Sequence, residues 1–93
     1  MAGLNDYRAE IDRIDDELVA LFARRMDICA EIARYKRAHG LPVRDDARER
    51  EKLRAIGEKL PGELRAYGVS LYERIFELSR ERQENLPEPG MKE

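Results

Sequence analysis

The sequence predicts an all-α fold, a three-helix chain with a long first helix, a short second and a medium third. Three observations predict it. Apolar residues recur in alternating steps of three and four from Leu4 to Tyr35, the spacing of a helix that buries one stripe. Glycine and proline cluster at Gly40-Leu41-Pro42 and at Pro61-Gly62, which divides the chain into three helical stretches and a tail. No run of β-branched residues alternates with a period of two, so no strand is expected.

The first helix is expected from about Asn5 to about His39. Asn5 reads as its N-cap, with Asp6 and Glu10 near the positive end of the helix dipole. Gly40 ends it, with Pro42 as the following breaker. The second helix is expected from about Asp46 to about Lys59, where Asp46-Ala47-Arg48-Glu49 has the form of a capping box. The third is expected from about Glu63 to about Asn85, with Leu64, Leu71, Ile75 and Leu78 on one face. These elements form one helical domain over residues 1–85. Residues 86–93, with two prolines, a glycine and charges, are expected to be a disordered tail.

The first helix is too long for the domain it belongs to. At about 1.5 Å per residue it spans roughly 50 Å, whereas a compact chain of this size has a radius of gyration of about 12 Å and is about 30 Å across. Its apolar stripe nevertheless continues along the whole length, so another chain is expected to cover it. A homodimer that pairs the long helices antiparallel about a two-fold axis is the simplest source. The same spacing also fits a coiled-coil dimer that carries no site.

Composition narrows the function classes. Charged residues make up 41% of the 93 residues, yet the net charge is −2. That balance offers no electrostatic case for nucleic acid or for an anionic membrane surface. The single cysteine, Cys29, allows no internal disulfide and fits a reducing compartment. The N-terminus has no apolar signal segment, and no apolar run approaches the roughly 20 residues that span a bilayer. A soluble cytoplasmic protein is expected.

The seam of the first helix contains a chemical anomaly. Arg25 falls where the next apolar residue belongs, and Lys36 lies eleven positions on, close to the same face. An isolated buried cation is costly, so Arg25 either reaches solvent or meets an anion inside. Arg25, Cys29, Ile32 and Lys36 share a face. Arg8 shares it too, but lies about 25 Å up the axis; in an antiparallel pair, the partner's copy of that residue could lie opposite the Arg25–Lys36 segment. Asp45, Arg48 and Glu49 open the second helix, and Ser79 and Gln83 sit one turn apart on the third. Singly, each has a plainer reading. Arg25 follows Arg24 and reads as a solvated cation, and Lys36 as a complement to the helix dipole. Asp45 and Glu49 read as capping acids, and Arg48, Ser79 and Gln83 as ordinary polar surface. His39 reads as a helix-end residue and Cys29 as a small core residue. The residues form no zinc-ligand cluster, glycine-rich phosphate loop or Ser-His-Asp set, and neither a metal nor a cofactor is expected.

Together the stretches Tyr7-Arg8-Ala9-Glu10-Ile11-Asp12, Arg24-Arg25-Met26, Tyr35-Lys36, Pro42 to Glu49, and Ser79-Arg80-Glu81-Arg82-Gln83 resemble the all-helical, type II chorismate mutases, over about residues 4 to 84. The resemblance implies an intertwined homodimer with two active sites, each completed by an arginine from the other chain. It implies rearrangement of chorismate, a dianion, to prephenate on the route to phenylalanine and tyrosine. On the same grounds Arg25 and the partner's copy of Arg8 bind the carboxylates, with Ser79 adding a hydrogen bond and Arg48 a further polarising contact. Asp45 and Glu49 hold the ring hydroxyl, and Lys36 and Gln83 donate to the ether oxygen. At the wall positions Lys52, Phe76 and Arg80, the two cations depart from the apolar residues that the resemblance leads one to expect, and the large ring of Phe76 would narrow the pocket. Other readings remain open. One is action on the amino analogue, 4-amino-4-deoxychorismate, whose ammonium Asp45 and Glu49 also suit. The others are isochorismate–pyruvate lyase, ranked lower because Glu49 beside Arg48 is the mutase-like arrangement, and a non-catalytic helical dimerisation module.

Overall fold

The computed structural model describes residues 2–86. Helix α1 spans Leu4–Ala38, α2 spans Asp46–Glu58, and α3 spans Arg65–Glu84, preceded by a 3-10 turn over Gly62–Leu64. Among the described residues there is no strand. Helix α3 packs against both α1 and α2, and the space left between the three helices is the cavity considered below.

The helix ends differ from expectation by a residue or two, for local reasons. The N-cap of α1 is Gly3, not Asn5: the Asp6 carboxylate accepts the Gly3 N–H at 3.0 Å, satisfying the donor just outside the helix. At the other end Gly40 takes a left-handed φ of 65°. The N–H of Leu41 then bonds the carbonyl of Lys36 at 2.8 Å, and that of Gly40 bonds Arg37 at 3.4 Å, which is a Schellman closure. Gly40→Ala therefore destabilises the fold by about 1–2 kcal/mol, the cost of a left-handed L-residue. A urea titration checks this, and an unchanged midpoint would contradict it.

The N-cap of α2 is Asp45, not Asp46. Its Oδ1 accepts from the backbone N–H of Arg48 at 3.1 Å, the bond an N-cap makes. Asp46 is instead engaged by Arg44, whose Nε donates to its Oδ1 at 2.6 Å. That hydrogen bond, with the attraction of the guanidinium, holds the Asp46 carboxyl below its ordinary value and raises Arg44. Whatever stability the exposed pair adds is present above the ordinary carboxyl range and is lost as pH falls through the lowered value.

The intrachain core lies at one end of α1. Ala30, Ala33 and Leu86 form a buried cluster, with Cys29, Ile56 and Phe76 buried beyond it. Leu86, assigned to the tail from sequence, thus packs on α1, and its carbonyl accepts from Arg37 Nη2 at 2.7 Å. The rest of the expected tail, 87–93, lies outside the described residues. On α3 the buried positions are Phe76, Ser79 and Gln83, whereas Leu64 and Leu71 of the expected apolar face are exposed. Gly68 permits the close approach of α3 to Leu60, where a Cβ would collide with the leucine side chain.

The stripe of α1 is left bare within one chain. Every residue from 2 to 24 is exposed, including Ile11, Ile14 and Leu18 at 54%, 51% and 56%. The radius of gyration is 17.1 Å and the extents are 57 × 31 × 14 Å, well beyond the roughly 12 Å radius of a compact chain of this length. A continuous apolar face of this kind marks an interaction surface. No helix of the described residues is long and apolar enough to cross a membrane.

Candidate active site

The cavity between the helices has a volume of about 250 Å³. Helix α1 contributes Arg25, Cys29, Ile32 and Lys36; the following loop contributes Val43 and Asp45; α2 contributes Arg48, Glu49 and Lys52; α3 contributes Phe76, Ser79, Arg80 and Gln83. Seven of the eight residues singled out from sequence are therefore brought to one space. Arg8 is not among them. It stands on the exposed segment of α1, about 25 Å along the axis from Arg25.

Helical spacing accounts for the convergence. Arg25, Cys29, Ile32 and Lys36 follow one another at intervals of four, three and four, so they face one way. Phe76, Ser79 and Gln83 do the same on α3, and Arg48, Glu49 and Lys52 are the first-turn and second-turn residues of α2 that look back across the gap.

The two cations of α1 are held without being neutralised. Arg25 is half-buried. Its Nη1 donates to Ser79 Oγ and lies 3.8 Å from Cys29 Sγ, and its guanidinium carbon sits 5.5 Å from the centre of the Phe76 ring, within cation–π range. Ser79 Oγ in turn donates to the carbonyl of Ile75 at 2.7 Å, which orients its lone pairs toward the guanidinium. Lys36 Nζ donates to the carbonyl of Val43 at 2.7 Å. Among the described residues, neither Arg25 nor Lys36 pairs with a carboxylate. A half-buried cation with only neutral partners retains its full attraction for an anion.

The acidic residues of the pocket are both engaged. Asp45 caps α2, and Glu49 Oε1 accepts from Arg80 Nη1. The Glu49 and Arg80 side chains retain 26% and 20% of their exposure, so this pair is the most sheltered of the ion pairs among the described residues. Counting the wall, five basic side chains (Arg25, Lys36, Arg48, Lys52, Arg80) face two acidic ones (Asp45, Glu49). The pocket is thus positive in a chain whose net charge is −2. A concave site of one sign concentrates an oppositely charged ligand.

Gln83 is buried, and its Oε1 is without a hydrogen-bond partner among the described residues. An unsatisfied buried amide costs about 1–3 kcal/mol, and a ligand polar group in the cavity would relieve it. A primary amide carries both an acceptor oxygen and an N–H donor, so the same side chain can serve a ligand in either sense. No group of three or more His, Cys, Asp or Glu among the described residues is arranged to hold a metal ion.

The profile of the family described as chorismate mutase type II matches residues 7–84. The chain belongs to the type II chorismate mutases. Among similar proteins, the T-protein of Haemophilus influenzae is 36% identical over 76 residues, which cover 82% of this chain and 20% of that protein. A 3-dehydroquinate dehydratase of Pyrobaculum aerophilum is 38% identical over 56 residues, or 60% of this chain and 19% of that protein. The 4-amino-4-deoxychorismate mutase of Streptomyces venezuelae is 42% identical over 45 residues, 48% of this chain and 44% of that protein. The chain therefore spans about a fifth of the first two relatives and under half of the third. No solved structure matches it.

Some of the pocket was invisible in the sequence. The Val43 carbonyl that fixes Lys36 is a backbone atom, so no residue type signals it. The pairing of Glu49 with Arg80 joins two helices 31 positions apart, a separation at which periodicity carries no information.

Proposed function

We propose that this chain is a chorismate mutase, catalysing the intramolecular rearrangement of chorismate to prephenate in aromatic amino acid biosynthesis, as a cytoplasmic homodimer. The observation that carries the reading is the convergence of Arg25, Lys36, Ser79 and Gln83 on one cavity, with neither cation paired to a carboxylate among the described residues. Family membership supports it.

The reaction is pericyclic, one carbon–oxygen bond breaking as a carbon–carbon bond forms. It needs no nucleophile, general base or cofactor. Two physical tasks remain for the protein. One is to hold the dianion in the compact conformer that brings the reacting carbons together. Arg25, steadied by Ser79, clamps one carboxylate, and Arg8 of a second chain clamps the other. Arg48 adds a polarising contact near the enolpyruvyl carboxylate. The ring hydroxyl donates to the lone pairs that Asp45 and Glu49 leave open. The other task is electrostatic. Negative charge grows on the ether oxygen as its bond to carbon lengthens, and Lys36 with the Gln83 amide donates to it there. Donors already in place stabilise the transition state more than the ground state. Because Gln83 is uncharged at every working pH, this donor needs no protonation step.

The bare α1 stripe supports the dimer, since a second copy would cover it while delivering Arg8. Following the ring-diene absorbance of chorismate tests the whole reading. Added protein is expected to accelerate its loss with formation of prephenate. A helical dimer that leaves the rate unchanged would overturn the proposal in favour of a non-catalytic module.

A further inference from the structure

The wall position Arg80 has no role in the rearrangement as described, yet it makes the most sheltered ion pair among the described residues. Resting on the mutase reading above, we infer that Arg80, acting through Glu49 and assisted by Lys52, is a specificity determinant that admits a neutral hydroxyl at the ring substituent and rejects an ammonium there.

The argument starts from what the two pocket carboxylates are free to do. A carboxylate offers about four lone-pair directions. Asp45 spends one on the Arg48 backbone N–H, and Glu49 spends one on the Arg80 guanidinium. Both keep capacity to accept a hydrogen bond, which is all that a hydroxyl asks of them. An ammonium asks for more, namely negative charge not already neutralised. The charge of Glu49 is balanced by Arg80, and that of Asp45 lies against the positive end of α2. To take Glu49 for itself, an ammonium must displace Arg80 and strand a guanidinium that is only 20% exposed. If it leaves the pair intact, it lies beside Arg80, with Arg48 and Lys52 on the same wall. Like charges brought together at a sheltered site work against the wrong partner, and discrimination by repulsion needs no added contact to the right one.

The relative in Streptomyces venezuelae is named for the amino compound and is similar over 45 residues, which makes that compound the probe to set against chorismate. Arg80 is a positioning residue here, since it acts on the substrate through Glu49. The readout is therefore a ratio that a merely structural role would not move.

The experiment measures kcat/KM for chorismate and for 4-amino-4-deoxychorismate with the parent chain, Arg80→Met, Arg80→Lys and Lys52→Met. The parent is expected to favour the hydroxyl substrate. Arg80→Met should shrink that preference by at least about tenfold, the scale of one like-charge contact removed from a sheltered site, chiefly through a lower KM for the amine. Arg80→Lys should keep most of the preference. Lys52→Met, at an exposed position where folding is secure, should shrink it by about threefold, as a more screened charge would. An unchanged ratio in both Met variants, or a parent that prefers the amine, overturns the inference while leaving a mutase. A parent that turns over neither substrate overturns the mutase reading and this one with it.

Discussion

Lys36→Ala is expected to lower kcat by at least about 10²–10³, the cost of losing one preorganised donor to a developing oxyanion, with a larger loss because this donor is charged. The effect should fall on kcat more than on KM, since the ether oxygen carries little charge until its bond to carbon begins to break. On the proposed reading the amine is ready to act. Lys36 is half-buried, three turns from Arg25 on the same face of α1, and its Nζ is already steadied by the Val43 carbonyl at 2.7 Å. That carbonyl leaves the remaining ammonium protons free to point into the cavity. The helix should survive the substitution, because alanine is a strong helix former and the Schellman closure after α1 uses only the Lys36 backbone carbonyl. Far-UV circular dichroism and the dimer mass are therefore expected to stay unchanged. Near-normal turnover would sink the role assigned to this amine.

The second large effect is complementation between two dead variants. Arg25→Ala removes the guanidinium that Ser79 holds in the pocket, and Arg8→Ala removes one that lies far from the pocket of its own chain. Each alone should abolish most turnover. If the site is shared, a mixed dimer of the two contains one complete site and one doubly defective site. Random exchange at equal amounts makes about half of all dimers mixed, so about a quarter of parental activity returns. Recovery should track the fraction of mixed dimers as exchange proceeds. Proven exchange without recovery would rule out a site built from both chains and leave Arg8 as surface charge. The bare stripe of α1 gives the physical motive for pairing: with residues 2 to 24 exposed, the chain displays an apolar face that water disfavours and a second copy can bury.

The all-α class, the three helices and their breaks were legible in the sequence because each rests on local rules. Helical periodicity, glycine at a C-cap and proline beyond it act within a few residues. Most of the candidate site was legible for the same reason: Arg25 and Lys36 stand out against an apolar seam, and Ser79 and Gln83 share a helix face. The helix ends were less legible. Asn5 against Gly3, and Asp46 against Asp45, are choices between residues one or two positions apart, and a side-chain hydrogen bond accompanies each observed cap. The core was misread where burial depends on which helix lies opposite. Leu64 and Leu71 share the apolar face of the third stretch but are exposed, while Leu86, assigned to the tail, is buried.

From the order of residues alone came the elements, the seam with its two misplaced cations, and a first helix too long for one compact chain. Packing was needed to bring seven polar groups from three helices and a loop around one cavity of about 250 Å³, to leave Arg25 and Lys36 without carboxylates, and to tie Glu49 to Arg80. The division has one cause. Local rules depend on separations of three or four residues, whereas a pocket is made by groups dozens of positions apart, such as the 54 between Arg25 and Ser79, whose meeting is decided by how helices lie against each other.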